Sequence, residues 1–178
     1  MKKLLVGLMA ASITCLSFAE TQPINLSLTP DISLQDRSDR IEGLTLSIWG
    51  ENEQESLAIG FVNGSVGESM GLSLGLLNYA DNYTGLQWGV LNTAKQDYAG
   101  WQHGFGNHVG GELYGLQTGW LNCANHLRGV QLGLVNFTQT AGPGLQVGLL
   151  NIIAQNDMWF VDLPEQVAPA MIFVNWRF

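Results

Sequence analysis

The sequence is poor in cysteine, poor in charge, and free of long hydrophobic runs after its first residues. Its two cysteines are Cys15, in a leader that we expect to be removed, and Cys123, so the mature chain cannot form an intramolecular disulfide. No later segment approaches the run of about eighteen apolar residues that a membrane-spanning helix needs. These absences exclude a disulfide-stabilised scaffold and a helical membrane protein.

Charge is scarce and mostly acidic. Charged residues make up 12 % of the chain, about half the share of an ordinary soluble domain, while 46 % of the residues are hydrophobic. Seven basic residues stand against fifteen acidic ones, for a net charge of -8, and no basic patch exists. Nucleic acid is therefore not expected as a partner. Low charge without a spanning helix is typical of a β-barrel whose outer face meets lipid.

The first nineteen residues have the layout of a secretory signal peptide. Lys2 and Lys3 precede an apolar stretch from Leu4 to Leu16, and Ala19 ends a small-residue cleavage site. We therefore expect residues 1–19 to be removed and residues 20–178 to form a single repeat-built β domain. Export predicts a location in the outer membrane, with the periplasm or the cell surface as alternatives.

An eight-residue word, G-x-Q-x-G-x-x-N, recurs through the mature chain. Its copies begin at residues 43, 56, 71, 85, 100, 115, 129 and 144, with spacings of 13 to 15. Asn closes seven of the copies, at residues 63, 78, 92, 107, 122, 136 and 151. Such regularity is specific for a repeated architecture.

Each copy alternates with period two, which predicts a β-strand. In the copy at residue 85, Leu86 and Trp88 fall on one face, and Gly85, Gln87 and Gly89 fall on the other. Helix is excluded because a glycine at every fourth residue would destabilise it. Turn-forming residues separate the copies, so we expect many short strands with short connections.

Two architectures accommodate these strands. In a parallel β-solenoid each copy is part of one coil, and equivalent Asn and Gln side chains stack in ladders. In an up-and-down barrel each copy is one strand, antiparallel to its neighbours. The word is nearly a palindrome about its Gln, so reversed strands would also align their Gln residues. Repetition alone does not decide between the two.

The end of the chain favours the barrel. It resembles the C-terminal assembly signal of bacterial outer-membrane barrels, with a final aromatic residue and an apolar residue at every second place: Ala170, Ile172, Val174, Trp176 and Phe178. The resemblance implies outer-membrane lipid and the barrel-assembly machinery as partners. A strand at residues 24–29, eight word strands and the last strand make ten, an even number as such barrels require. The long connections would be residues 30–42 and 154–167.

The preferred prediction is an all-β fold, a small antiparallel up-and-down outer-membrane β-barrel of about ten strands. The alternative is a parallel β-solenoid with coils of 14 to 15 residues. The word, together with LTLSIWGENE and the ending FVNWRF, also resembles a family of uncharacterised surface-repeat proteins of Gram-negative bacteria. That resemblance implies a surface location and brings no established activity.

The predicted function follows from the barrel. We expect a non-enzymatic protein, either structural or a narrow polar pore, with a lumen ring formed by Gln87, Gln102, Gln117, Gln131 and Gln146. Its tryptophans and tyrosines would form aromatic girdles at the bilayer interfaces. The alternative is a secreted or surface-attached solenoid that acts as a binding or adhesion module. The oligomeric state stays open.

No catalytic, cofactor-binding or metal site is predicted. His103, His108 and His126 fall at different places in the repeat, so we do not expect them to converge on a metal. The acidic stretches at residues 36–42 and 51–55 lack the spacing of a calcium loop and are interpreted as solvated loops.

Overall fold

The computed structural model describes residues 20–157 and 159–178, and within them it contains strands and turns but no helix. The strands are β1 (Thr21–Thr29), β2 (Ile32–Ser33), β3 (Arg40–Leu74), β4 (Leu77–Trp88), β5 (Leu91–Ala94), β6 (Tyr98–Ile153) and β7 (Ala170–Arg177). Among the described residues, no helix has both the length and the apolar character to cross a membrane. The all-β class is confirmed, whereas the predicted signal peptide, residues 1–19, lies outside the described residues.

The chain winds as a β-solenoid, and residues 83–97 show one coil. Residues 83–88 form a strand on the front face, residues 89–90 turn the chain at one edge, and residues 91–94 form a strand on the back face. Residues 95–97 turn it again at the opposite edge and lead into the next coil. β3 and β6 run through several such coils without interruption, so the predicted count of ten strands is wrong.

Successive coils pair in parallel, with equivalent letters of the word in register. Gly85 pairs with Gly71 on one side and with Gly100 on the other, and Asn92 pairs in the same way with Asn78 and Asn107. The predicted antiparallel barrel is therefore wrong, and the solenoid with coils of 14 to 15 residues is the fold. Parallel pairing puts identical side chains at the same place on neighbouring strands. A repeat whose copies all run in the same direction therefore favours a solenoid.

Both glycines of the word allow neighbouring coils to approach closely. The first has a positive φ, +134° at Gly100 and +139° at Gly115, which L side chains rarely adopt. A Cβ at Gly100 would overlap the carbonyl oxygen of Gly85. At the second glycine, a Cβ at Gly104 would overlap the carbonyl oxygen of Gly89 and lie 2.7 Å from Nδ2 of Asn92.

The apolar part of the core is a pair of columns on the side of the coil away from residues 89–90. One column holds small residues and the other holds tyrosine or leucine. The columns contain Ala80, Ala94, Val109 and Ala124, and Tyr83, Tyr98, Leu113 and Leu127. Tyr83 stacks on Tyr98 with ring centroids 5.9 Å apart and planes 14° apart. These two tyrosines are buried, so they do not belong to an aromatic girdle.

Both ends of the solenoid are capped. At the first coil β1 forms an antiparallel hairpin with β2, and Asn25 Oδ1 accepts hydrogen bonds from Ser33 Oγ (2.7 Å) and Gln35 N (3.3 Å). At the last coil β7 pairs antiparallel with the end of β6, and the carbonyl of buried Ala168 accepts from Asn175 (2.9 Å). In the predicted connection at residues 154–167, the described residues 154–157 and 159–167 form no strand, and they supply part of this second cap.

Candidate interaction surface

The glutamines predicted for a lumen ring form a buried column instead. Each is fully buried, and each one after Gln87 donates from Nε2 to Oε1 of the preceding glutamine, at 2.9 Å from Gln102 to Gln87 and 2.8 Å from Gln117 to Gln102. The bonds continue from Gln131 (2.7 Å) and Gln146 (2.8 Å). Because the chain is a solenoid, this column runs along its axis and holds the core together.

The first and last glutamines of the column each have one side-chain atom without a hydrogen-bond partner. Nε2 of Gln87 and Oε1 of Gln146 are buried without a hydrogen-bond partner. Their neighbours in register are Ser73, whose side chain is shorter, and Asn175 on the antiparallel β7. Within the column, Gln117 also donates to the carbonyl of Cys123 at 3.2 Å, which ties the front face to the back face.

The asparagines that close the word form a second column, beside residues 89–90. Here Nδ2 donates forward to Oδ1 of the next Asn, at 2.8 Å from Asn92 to Asn107 and 2.8 Å from Asn107 to Asn122. Nδ2 of Asn107 also donates to the backbone carbonyl of Thr118 at 3.1 Å. The Asn column thus fixes the turn at this edge.

Outside this turn lies a continuous apolar surface, which we call the apolar belt. It consists of the second, fourth, sixth and seventh letters of every copy of the word, from residues 44–49 to residues 145–150. These positions contain no Asp, Glu, Lys or Arg, and only His103, Gly106 and Thr118 interrupt the large apolar side chains. At about 4.8 Å per strand, eight copies extend the belt over about 35 Å.

The apolar belt wraps around one edge of the solenoid. In one coil Leu86 and Trp88 point outward from the front face, Val90 lies at the turn, and Leu91 points outward from the back face. Many of these side chains are open to solvent, and Trp120 is 58 % exposed. A typical monomer exposes at most about 300–600 Å² in one apolar patch, and such patches are often functional. The belt is therefore the candidate functional site.

Several of the few polar atoms on the apolar belt are hydrogen-bonded within the protein. Thr118 Oγ1 lies 2.8 Å from the donating Nε1 of Trp101 and 2.7 Å from Nδ1 of His103. At the first coils, Trp49 Nε1 donates to Oη of Tyr79 at 3.0 Å. Backbone N–H groups of the turn are also paired, as Gly89 N donates to the His103 carbonyl (3.0 Å). The belt thus presents few unpaired polar groups.

A shallow groove of about 400 Å³ opens on the back face beside the belt, where Gly106 replaces a larger residue. Leu91, Leu121 and Phe137 contribute to its lining together with Cys123. Burial raises the pKa of the Cys123 thiol, which disfavours the reactive thiolate. The groove carries no charged side chain.

Charged groups lie along the opposite edge, which we call the polar edge, and at the two ends. Lys95 contacts Asp81 at 2.7 Å, and Arg128 contacts Glu112 at 2.8 Å. The hydrogen bond and the positive charge of Lys95 lower the pKa of the Asp81 carboxyl. In the described part of the chain no group of three or more His, Cys, Asp or Glu could hold a metal ion.

The histidines are spread over three surfaces. His103 lies on the apolar belt, His108 lies on the back face, and His126 lies near the polar edge with Nδ1 2.6 Å from Oγ1 of Thr140. Of the tryptophans and tyrosines expected in girdles, Trp49, Trp88, Trp101 and Trp120 belong to the apolar belt.

The residues of the expected C-terminal assembly signal lie on or next to β7. Ile172, Val174 and Phe178 are exposed, whereas Ala170 and Trp176 are half-buried. Trp176 Nε1 donates to the Pro164 carbonyl at 2.8 Å. The strand closes the last coil of the solenoid through its pairing with β6.

Sequence reasoning identified the outward-facing apolar letters but assigned them to a barrel wall. The signal that could have separated the two folds is a break in the alternation: the sixth and seventh positions of the word are both apolar in most copies, which a strand running straight through the word does not predict. Comparison with protein-family models finds no match to this chain, and comparison with curated proteins and with solved structures finds none either.

Proposed function

We propose that this protein is a non-enzymatic binding or adhesion module of the cell surface, and that the apolar belt is its binding surface. The observation that carries the proposal is an uncharged apolar surface that follows one edge of the solenoid through eight copies of the word. A surface of this size is costly in water unless a partner covers it. The pore function depended on a barrel and is not proposed.

The division of polar side chains supports a binding role over a catalytic one. The Gln and Asn columns are buried and bonded to each other, so their role is to hold coils together. The barrel-assembly machinery, expected as the partner of a barrel, does not follow from a solenoid.

A matched pair of substitutions within one coil tests the proposal. Trp120 on the apolar belt is 58 % exposed, and Tyr114 on the front face outside the belt is 66 % exposed. The processed protein is purified from cells, and its adsorption to a hydrocarbon-coated surface is measured by a quartz microbalance. We expect Trp120→Gln to weaken adsorption and Tyr114→Gln to leave it unchanged.

The double variant Trp120→Gln/Leu134→Gln should weaken adsorption further, since each large side chain contributes about tenfold. Circular dichroism spectra equal to that of the wild type serve as the control for folding. If Tyr114→Gln weakens adsorption as much as Trp120→Gln, the belt is not the binding surface and the proposal is wrong.

A further inference from the structure

We propose that the partner of the apolar belt is the acyl layer of a lipid leaflet, into which the belt inserts with the solenoid axis parallel to the membrane plane. This inference rests on the proposed function and names its partner. The sequence led us to expect outer-membrane lipid around a barrel. In the present proposal, lipid contacts only one edge of a solenoid that lies on the membrane surface. Four observations on the described residues carry the inference.

The first observation is the shape of the apolar belt. The belt covers the front face, the turn and the back face of the same edge, as Trp88, Val90 and Leu91 show within one coil. A rigid partner, such as a second copy laid on the front face, would leave the back part of the belt in water. A fluid acyl layer contacts both faces and the edge between them at once.

The second observation is the state of the backbone at this edge. A polar backbone group without a partner is costly in hydrocarbon, so segments that enter lipid satisfy such groups internally. At the turn, Val90 N donates to the Leu76 carbonyl (2.9 Å) and Gly106 N donates to the Val90 carbonyl (3.0 Å). Asn107 Nδ2 donates a hydrogen bond to the Thr118 carbonyl (3.1 Å). The N–H groups of residues 89–91 and the Val90 carbonyl are thus paired inside the protein, as contact with acyl chains requires.

The third observation is the pairing of polar side chains on the belt. Trp101 and His103 both bond to Thr118 Oγ1, at 2.8 and 2.7 Å, instead of depending on water. Four of the belt positions are tryptophan, the residue that partitions best into the boundary between headgroups and acyl chains: Trp49, Trp88, Trp101 and Trp120.

The fourth observation is the segregation of charge. Charged pairs such as Lys95–Asp81 and Arg128–Glu112 lie on the polar edge, away from the apolar belt. With the belt about 5–10 Å deep in the leaflet, as amphipathic elements lie, the polar edge remains in water. The net charge of -8 disfavours anionic lipid, so the headgroups that fit are zwitterionic.

Phosphatidylcholine vesicles test the inference with the processed protein purified from cells. We expect the wild type to float with the vesicles, at least as well as with phosphatidylglycerol vesicles and with little dependence on salt. Brominated acyl chains should quench its tryptophan fluorescence, a measurement that needs no variant. Trp120→Gln/Leu134→Gln should reduce partitioning by about a hundredfold, and Tyr114→Gln should not.

Failure of this inference is distinguishable from failure of the proposed function. A protein that adsorbs to hydrocarbon through the belt but stays off both kinds of vesicle overturns the lipid partner and leaves the binding role. A wild type that sediments as a dimer, with the belt variant monomeric, overturns it in favour of a second copy. Vesicle binding that the belt substitutions do not change overturns it as well.

Discussion

Both long edges of the solenoid turn the chain between its front and back faces, but they do so in different ways. At the edge of the apolar belt, the word has eight residues in every copy, and the Asn column fixes the turn from inside. At the polar edge the number of residues between the closing Asn and the first Gly of the next copy varies, from six after Asn78 to seven after Asn92. All variation in length after the copy at residue 56 is thus confined to one edge.

This difference in turn length shows that the edge with the Asn column specifies the coil more strictly than the polar edge does. A buried Asn must meet its neighbours at hydrogen-bond distance, so the turn that it holds tolerates no change of length. At the polar edge, exposed side chains fill the gaps instead, as Asn82 does when its Oδ1 accepts from the backbone N of Asp97 at 3.0 Å. Water can replace such a bond, so extra residues are accommodated there.

The largest expected effect comes from a single glycine inserted at each edge. An insertion between Leu121 and Asn122 moves Asn122 out of its column and should cost more than about 4 kcal/mol, or prevent folding. The same insertion between Asn125 and His126 only lengthens a short polar turn and should cost less than about 1 kcal/mol. Denaturant unfolding measures both, and similar losses at both edges would contradict the comparison.

A smaller effect is expected from substitutions of asparagine. Asn107→Leu removes the partner of Asn92 Nδ2 and of Asn122 Oδ1, so we expect a loss of about 2–4 kcal/mol in the free energy of unfolding. The control is Asn125→Leu at the polar edge, where the side chain is exposed and bonds only to the Gly110 carbonyl. That change should cost about 0.5 kcal/mol or less. Equal losses would show that the Asn column does not specify the turn.

The smallest expected effect is a pH dependence at the border between the apolar belt and the charged groups. Burial, and then the hydrogen bond to Glu51, raise the pKa of Tyr79 to about 12. Because the folded protein holds this proton more tightly than the unfolded chain, the contribution to stability is complete below about pH 10. It is lost as the pH rises towards 12.

Tyr79→Phe should therefore flatten the fall in stability over that range of pH, measured by thermal unfolding. Buried Tyr83 and Tyr98 also have raised pKa values, so part of the alkaline loss remains in the variant. An unchanged pH profile in Tyr79→Phe would show that the phenol is not held in its protonated form by the fold.

Much of the solenoid was readable from individual residues of the sequence. The alternation of Gly85, Gln87 and Gly89 with Leu86 and Trp88 predicted strands with two distinct faces, and both faces exist. The stacking of equivalent Gln side chains, expected for the solenoid alternative, also agrees with the structure. The expected ring became a column because the strands are parallel.

The candidate site was visible only as a pattern of apolar letters. In a barrel those letters would face lipid all around the wall, whereas in the solenoid they gather at one edge. The C-terminal alternation from Ala170 to Phe178 favoured the barrel, yet the same alternation suits an antiparallel strand that closes the last coil. The alternation of apolar and polar residues along one strand does not show whether the neighbouring strand runs parallel or antiparallel to it.

The sequence by itself determined that this protein is all-β, built from a repeat, and divided into a glycine-and-amide face and an apolar face. Only the tertiary structure decided that the strands run parallel and that the amide face is a packed, hydrogen-bonded core and not the lining of a lumen. The physical reason is that the word is nearly the same in both directions about its Gln, so either pairing aligns its side chains. What separates them is a second hydrogen bond made by some of the amides, from Gln117 to the Cys123 carbonyl on the back face of the same coil and from Asn107 to the Thr118 carbonyl on the front face of the next coil. Such bonds require the front and back faces to pack against each other.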